Sequence, residues 1–173
     1  MAVRTIVVIP HDALNQKAKE ITDIDEYVRT LATDMCDTMY KAPGLGLAAN
    51  QVGEPVQLIV CDVVYPYADA KDKKKEPLII INPRIRRSEG ECVKEEGCLS
   101  VPELDVEVKR AACVQVEGVD LTGKSLMVDA EGILARVLQH EIDHLSGTTI
   151  LDHASALKRS LYRRRIKKRS RRT

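Results

Sequence analysis

The sequence has no tryptophan and no phenylalanine, and only five tyrosines, so its hydrophobic core must be built mainly from aliphatic side chains. It also has no apolar run near the ~20 residues that a membrane-spanning helix needs. The first apolar stretch, residues 5–9, ends at Pro10 and is too short for the core of a signal peptide. We therefore expect no contact with a membrane.

Cysteine is present in an odd number, five, and its spacing does not form a disulfide framework. This pattern indicates a reducing compartment, so we expect the cytoplasm, or an organellar matrix if the source is eukaryotic. Four of the five are expected to be small buried hydrophobic residues, namely Cys36, Cys61, Cys92 and Cys113.

Acidic residues are missing from the end of the chain. Residues 158–173 carry ten lysines or arginines and no acid, which leaves residues 1–157 with 17 basic and 26 acidic residues, a net charge of −9. A chain of 173 residues that is 44% hydrophobic predicts one domain. We therefore expect a single domain at 1–157 and a basic tail at 158–173 with a polyanionic partner.

Histidine is scarce as well, and half of the four histidines fall in one five-residue window. His140 and His144 are four residues apart within the motif H-E-x-x-H, so on a helix both imidazoles can reach one metal ion. Glu141 lies about 100° further round such a helix, where it could accept a proton from a water. We expect this helix to have Asp129 as its N-cap and to end at Gly147.

Two histidines at this spacing also occur on solvated helix faces, so the motif alone is also consistent with a helix that binds no metal. Ile133 and Val137 share the face of His140 and His144, which places the imidazoles on the apolar side, where unpartnered ring nitrogens are costly. A catalytic zinc-type site needs three protein ligands and an open position. Cys98 is the best candidate for the third ligand, because its flanks are polar and glycine-rich, unlike those of a core strand.

The remaining pattern predicts an α+β fold, with antiparallel β-sheets packed around the H-E-x-x-H helix and a C-terminal helix or basic tail. An amphipathic helix is predicted over residues 25–40. Strands are predicted at residues 3–9, 56–64 and 78–81 and around residues 106–108 and 114–116, with turns near Gly118 and Gly123 and a solvated excursion over residues 65–77.

Residues 44–53 form a loop rich in glycine and alanine, which indicates close approach of the backbone to another group. The loop lacks the GK[ST] ending and the G-x-G-x-x-G spacing of phosphate-binding loops. Its remaining polar group is Gln51, which can donate or accept a hydrogen bond.

Three stretches together resemble the peptide deformylase family: GLGLAANQ at residues 44–51, EGCLS at 96–100 and QHEIDH at 139–144. The resemblance extends from the predicted N-terminal strand to about Asp152. It implies removal of the formyl group from N-formylmethionine on nascent polypeptides, with release of formate. It also implies one divalent metal ion, with Fe²⁺ as the natural metal and Zn²⁺ or Ni²⁺ as substitutes.

The resemblance also assigns roles to particular residues. Cys98, His140 and His144 would hold the metal, and Glu141 would accept a proton from water and later deliver one to the leaving amine. The donors to the developing oxyanion would be the side-chain amide of Gln51 and the backbone N–H of Leu99.

Neighbouring residues would select the substrate and orient the ligands. The candidates for the methionine pocket are Leu45, Gly46, Ile133 and Val137, whose alternative role is ordinary core packing. Metal-bound imidazoles usually donate their second N–H to an acceptor, and the candidates for that support are Glu96, Arg110 and Asp143.

The chain departs from the family pattern at three places. Pro43 and Asp105 stand where many bacterial members have a glutamate and an arginine near the substrate groove. Residues 148–150 lack the aromatic side chain often found after the metal helix. We expect the contacts beyond the methionine to differ, and the chemistry to be unaffected.

The basic tail has two readings, a frayed solvated end or a docking element for ribosomal RNA near the exit of the nascent chain. On the second reading, deletion of residues 158–173 is expected to abolish salt-sensitive ribosome binding and to spare activity on short peptides.

Three other functions are consistent with parts of the sequence. A metal-independent cysteine hydrolase with Cys98 as nucleophile would leave Glu141 and one histidine unused. A non-catalytic Cys-His₂ metal protein would not need Glu141. An RNA-binding module led by the tail would leave all three motifs unexplained.

Overall fold

The computed structural model describes residues 2–67 and 74–169. The chain order of its elements, apart from three short 3₁₀ segments, is α1 (Glu26–Lys41), β1 (Gly46–Ala48), β2 (Leu58–Cys61), β3 (Leu78–Glu89), β4 (Cys92–Cys98), β5 (Val101–Arg110), β6 (Cys113–Val119), β7 (Ser125–Glu131), α2 (Gly132–Leu145), α3 (Ile150–His153) and α4 (Ala156–Arg169). Helix α1 begins at its predicted position, because the side chain of Asp25 accepts a hydrogen bond from the N–H of Val28.

The strands form two antiparallel sheets. Five of them pair in the order β1-β2-β3-β6-β7, and β4 and β5 form a separate two-stranded sheet. Helix α2, which carries the H-E-x-x-H sequence, contacts β1, β2, β6 and β7. The predicted α+β fold with antiparallel sheets is confirmed.

The start of α2 differs from the prediction. Asp129 is not its N-cap, because it lies within β7 and pairs with Gln115 of β6. The N-cap is Glu131, and Gly132 turns the chain from strand to helix with a φ of +58°. The predicted end is correct, since Gly147 has a φ of +77° and a Cβ there would lie 2.7 Å from the carbonyl oxygen of Asn15.

Other strand predictions needed correction. Residues 3–9 form no strand. Isolated hydrogen bonds hold them, including those from the backbone N–H of Arg4 to the Thr38 hydroxyl, from that of Val7 to the Gln51 carbonyl and from that of Ile9 to the Ser100 carbonyl. β2 is shorter than predicted. β3 continues past Asn82 and Pro83 through a register shift, and the Asn82 side chain fills the irregularity with two hydrogen bonds to the backbone of Ile21.

The turn predicted near Gly118 is wrong, because this residue lies inside β6, opposite Leu126. A Cβ at that position would lie 2.4 Å from the Ile80 side chain, so the glycine permits close packing of strands. The turn at Gly123 is confirmed by its φ of +81°.

The C-terminal part of the chain belongs to a hydrophobic cluster of its own. Tyr162 of α4 packs with α3 and the inner face of β5 and is only 3% exposed. The predicted boundary between residues 157 and 158 lies within the first turn of α4. Residues 68–73, in the predicted surface excursion, and residues 170–173 of the tail lie outside the described residues. Over the described ranges, no helix has the length and apolar character to span a bilayer.

Candidate metal centre

Three side chains that could ligate a metal come together at one point. The ligating atoms of Cys98, His140 and His144 all lie within 4.8 Å of one another. The Cys98 Sγ is 3.2 Å from the His144 Nε2. One thiolate and two imidazoles form a donor set that suits borderline transition metals such as Fe²⁺, Ni²⁺ and Zn²⁺.

Cys98 reaches the helix because β4 and β5 form a tight hairpin. Cys98 pairs with Val101, so only Leu99 and Ser100 form the turn. A register shift between Glu96 and Cys98 interrupts the regular pairing at the end of β4. The thiol therefore lies at the tip of the hairpin, opposite the two histidines.

Glu96 is the centre of a buried ionic network beside the three candidate ligands. Arg110 donates to both of its carboxylate oxygens, at 3.0 and 2.9 Å, and Arg136 donates at 2.6 Å. Its Oε2 is 3.0 Å from the His140 Nδ1. An acceptor at Nδ1 holds the proton there, which leaves the Nε2 lone pair of His140 available for a metal.

Electrostatics keep this carboxylate ionised. Burial alone raises the pKa of Glu96, but hydrogen bonds from His140 and Arg110 outweigh it and bring the pKa down to about 2. Arg110 also donates to the Asp143 Oδ2 at 2.6 Å, and the His153 Nε2 lies 3.0 Å from the same oxygen. Of the three predicted supporting residues, Glu96 contacts a histidine directly, and Arg110 joins it to Asp143.

Removal of Arg110 tests the stabilising role of this network. We expect Arg110→Met to lower the free energy of unfolding by about 3 kcal/mol, because it leaves the buried Glu96 with one cationic partner fewer. Urea denaturation of the apoprotein measures the change. Lys109→Met is the matched control, since that neighbour forms its ion pair with Glu91 on the surface. Equal losses in the two variants would contradict this role.

Glu141 lies inside the protein at the edge of the cluster. It is 4% exposed, and its Oε2 has no hydrogen-bond partner among the described residues. Burial raises the pKa of this carboxyl to about 7. A Cβ on Gly46 would lie 2.5 Å from the Glu141 Oε1 and 2.8 Å from a methyl group of Val137, so only glycine fits there.

Gln51 is fixed with its amide nitrogen toward the cluster. Its Oε1 accepts a hydrogen bond from the N–H of Ala48 at 2.8 Å, which determines the orientation of the amide. The Nε2 then lies 3.6 Å from the Cys98 Sγ and 3.3 Å from the Ser100 Oγ. This places an N–H donor beside the candidate metal ligand.

An open groove of about 1160 Å³ leads to the cluster. The predicted pocket residues Leu45, Gly46, Ile133 and Val137 all line it. The predicted site residues that line the same groove are Gln51, Glu96, Cys98, Leu99, His140 and Glu141. Its volume is somewhat larger than the roughly 300–1,000 Å³ of small-molecule pockets, so a peptide of several residues can enter.

Three residues that contact the site residues were not predicted from the sequence. Arg136 is four residues before His140, and this i, i+4 spacing could have shown that both share the face toward Glu96. Ser100 is fully buried beside Gln51, but a single serine in a motif gives no such indication. His153 follows in α3, and its contact with Asp143 depends on the turn between the helices.

An α+β fold with a Cys-His₂ cluster and a buried carboxylate at the end of an open groove has the features of a metal-dependent hydrolase. A family model described as polypeptide deformylase matches residues 3–160. A peptide deformylase of Desulfosudis oleivorans is 51% identical over 170 residues, which cover 98% of this chain and 95% of that protein. One of Rhizobium meliloti is 46% identical, covering 97% of this chain and 94% of its own.

Solved structures agree with this result. A crystal structure of a peptide deformylase from Legionella pneumophila superimposes with a TM-score of 0.87 at 45% identity, covering 98% of this chain and 96% of that one. A crystal structure of the Ehrlichia chaffeensis peptide deformylase in complex with actinonin gives 0.88 at 37% identity, covering 99% of both chains.

The chain belongs to the peptide deformylase family. Members of this family are metal-dependent hydrolases that remove the formyl group from the N-terminus of nascent polypeptides, and this is the activity of the chain. The expectation from the three motifs is confirmed at the level of family and reaction. The comparisons do not favour a metal-independent cysteine hydrolase or a non-catalytic metal protein.

Proposed function

We propose that the catalytic metal of this deformylase is held by Cys98, His140 and His144, with Glu141 as the group that transfers the proton. The observation that carries this proposal is the convergence of the three ligating atoms within 4.8 Å beside a buried carboxylate. The Glu141 Oε2, which has no hydrogen-bond partner in the described part of the chain, supports it, because a buried polar atom without a partner is costly unless it serves a ligand or water.

The donor set fits one divalent ion, which we propose to be Fe²⁺ in the cell, with Zn²⁺ or Ni²⁺ as substitutes. When bound, such an ion would supply the Lewis acidity that lowers the pKa of a water from 15.7 toward about 7. Burial lowers the pKa of His144, so its imidazole is neutral and suited to ligation. The thiolate of Cys98 adds one negative charge and softness to the donor set.

Glu141 would accept the proton of the attacking water at its carboxylate and then pass a proton to the leaving amine. A pKa near 7 suits both steps, because the group can gain and lose a proton at the working pH. Gly46 and Val137 enclose the carboxylate and limit its motion. Its neighbours therefore hold the acid–base group in position as well as raising its pKa.

Gln51 and Leu99 would bind the oxygen of the formyl group as it becomes negatively charged. The Nε2 of Gln51 is turned toward Cys98 by the Ala48 hydrogen bond, so no rotation of the amide is needed during the reaction. Leu99 follows Cys98 in the hairpin turn and lines the groove, and its backbone N–H would be the second donor.

The methionine side chain of the substrate would lie against Leu45, Ile133 and Val137, which line the groove near Glu141. Ile133 is 43% exposed although it is apolar, which favours a role in binding over ordinary core packing. The nitrogen and carbonyl groups of the peptide would follow the groove away from the metal. The substrate is then an N-formylmethionyl nascent peptide.

Helix α4 would dock the enzyme on the ribosome. One face of this helix has a shallow surface hollow lined by Ala156, Arg159, Ser160, Arg163, Arg164 and Lys167. Four positive charges in such a row suit the phosphate backbone of RNA. The protein would then work in the cytoplasm, or in the matrix of an organelle, where formylated chains emerge.

Arg163 and Arg164 test this docking without loss of the fold. We expect the double variant Arg163→Ala, Arg164→Ala to lower ribosome affinity about 10-fold at low salt and to reduce the slope of affinity against salt concentration. Co-sedimentation with ribosomes over a salt series measures both. The double substitution tests docking more specifically than deletion of residues 158–173, because the deletion also removes the buried Tyr162. Arg86→Ala with Arg87→Ala, on the exposed end of β3, is the control. Wild-type binding by the α4 variant would refute the proposal.

The metal and the substrate can be tested on one preparation. Protein purified without oxygen is assayed for iron, nickel and zinc and for formate release from formyl-Met-Ala-Ser. Acetyl-Met-Ala-Ser is the control substrate. Formate release that tracks iron content is the expected result, and activity that tracks only zinc would overturn the choice of iron.

A further inference from the structure

Helix α4 holds one wall of the groove through three backbone carbonyls. The Tyr162 hydroxyl donates to the carbonyl oxygen of Pro102 at 2.8 Å, and the Arg165 Nη2 donates to that of Glu103 at 2.9 Å. The Lys158 Nζ donates to the carbonyl oxygen of Asp105. The three donors repeat at one face of the helix and contact residues 102–105, which we call the rim segment.

The rim segment has little support from its own sheet. Glu96 pairs with Val106 and Cys98 pairs with Val101, so the four residues of the rim segment lie opposite Gly97 alone. Glu103 has a φ of +60°, which is unfavourable for a residue with a side chain. A bulged segment with a strained residue keeps one conformation only when its surroundings hold it. Here α4 provides that support.

Helix α4 is attached through a buried side chain, Tyr162, and through a second side chain, Arg165, that contacts both Tyr162 and Glu103. Tyr162 is 3% exposed and packs beneath β5 with Val101 and Val108. Arg165 lies over the Tyr162 ring, with its guanidinium carbon 4.9 Å from the ring centre, and its Nη1 is 3.6 Å from the Glu103 carboxylate. Tyr162 therefore anchors the helix, and Arg165 connects that anchor to the rim segment.

The rim segment faces the substrate groove. Glu103, Leu104 and Asp105 line the groove, together with Gly97 and Cys98 of the facing strand. The Asp105 Oδ1 would lie 3.0 Å from a Cβ at Gly97, so this side chain sits over the glycine beside the metal-ligand hairpin. The methionine pocket is lined by other residues, from β1, the residue just before it and α2.

We propose that α4 sets the shape of the groove beyond the methionine pocket, and that Tyr162 and Arg165 are positioning residues for the peptide residues that follow methionine. The proposal rests on the function proposed above. It follows that loss of either contact weakens the binding of longer peptides and leaves the chemical step unchanged. Arg163 and Arg164, the residues proposed to dock on the ribosome, line the separate hollow.

A neighbouring arginine provides the matched control. Arg165→Ala and Arg164→Ala each remove one positive charge from the same helix, but only Arg165 contacts the rim segment among these two in the described structure. Tyr162→Phe keeps the buried ring and removes only the hydroxyl donor. Steady-state kinetics would use formyl-Met-Ala and formyl-Met-Ala-Ser-Ala for all three variants.

We expect KM for the tetrapeptide to rise about threefold to tenfold in Arg165→Ala and Tyr162→Phe, the usual effect of losing one hydrogen bond. We expect kcat to stay within about twofold, the dipeptide to be unaffected, and Arg164→Ala to match the wild type. Unchanged KM in both test variants would overturn the proposal. An equal fall in kcat on both substrates would also overturn it, because α4 would then position the Cys98 hairpin.

Hydrogen exchange gives a second readout that does not depend on catalysis. Exchange at residues 103–105 is expected to be faster in Arg165→Ala than in Arg164→Ala or the wild type. Equal exchange in all three would contradict the support by α4. If the wild type released no formate, the proposed function would fail, while the exchange result would still decide whether α4 holds the rim segment.

Discussion

Glu141→Gln is expected to keep the metal and to lose about 10²- to 10⁴-fold in kcat. Glutamine has nearly the same shape as glutamate, so it fits beside Gly46 and Val137 without a new cavity. It cannot accept a proton at neutral pH, so a reaction that uses the Glu141 carboxylate as proposed loses its proton-transfer group. Glu141→Ala is expected to show the same loss in kcat and also to leave a cavity beside Gly46 and Val137.

The control for Glu141 is another glutamate of the same groove. Glu95→Gln makes the same change of charge at an exposed position that lines the groove, and it is expected to keep most of the activity. Metal content, kcat and KM are measured for all three variants. Wild-type kcat in Glu141→Gln at full metal content would show that another group transfers the proton.

Cys98→Ala is expected to abolish both metal retention and formate release. Loss of one of the three proposed protein ligands should weaken metal binding by more than the 10- to 100-fold typical of losing an outer hydrogen-bond partner. Cys113→Ala is the matched control, because Cys113 lines the same groove and is not among the three clustered side chains. Metal content after dialysis against a weak chelator separates the two variants.

The same experiment distinguishes the metal site from a cysteine nucleophile. A cysteine hydrolase would also lose activity in Cys98→Ala, but its wild type would work after removal of the metal. A Cys98→Ala protein that retained one tightly bound metal per chain would contradict the ligand assignment. Loss of the metal together with loss of formate release is the result expected when Cys98 is a metal ligand.

The parts of the site that follow from local spacing could be predicted from the sequence. His140 and His144 are one helical turn apart, so their convergence needs only the helix. The C-terminal end of α2 was also predictable, because Gly147 adopts a positive φ that glycine favours. Its start was not, since β7 runs directly into the helix and no side chain in that stretch caps it.

The contacts that depend on chain topology could not be predicted. Glu96, Arg110 and Asp143 were candidates, but only the fold shows that Arg110 bridges the two carboxylates and that Glu96 faces His140. Tyr162 was missed because the basic residues around it suggested a solvated tail. Its burial depends on α3 and β5, which lie beneath it only in the folded chain.

The irregular segments show a similar limit. Residues 3–9 have the apolar, β-branched composition of a strand, but their backbone forms isolated hydrogen bonds and has no continuous partner strand among the described residues. Asn82 and Pro83 indicated the end of a strand, whereas β3 continues past them through a register shift, and the Asn82 side chain forms two hydrogen bonds with the backbone of Ile21. In both cases the composition suggested the secondary structure, but the hydrogen-bond partners in the folded chain determined whether a strand forms or continues.

The most direct test of the metal-dependent reaction is formate release by the anaerobically purified protein with and without a chelator. One metal ion per chain, formate release from formyl-Met-Ala-Ser, loss of that activity with the chelator and its return on adding Fe²⁺ are the predicted results. Undiminished formate release from protein that has lost its metal would contradict the central claim that Cys98, His140 and His144 hold the ion needed for the reaction.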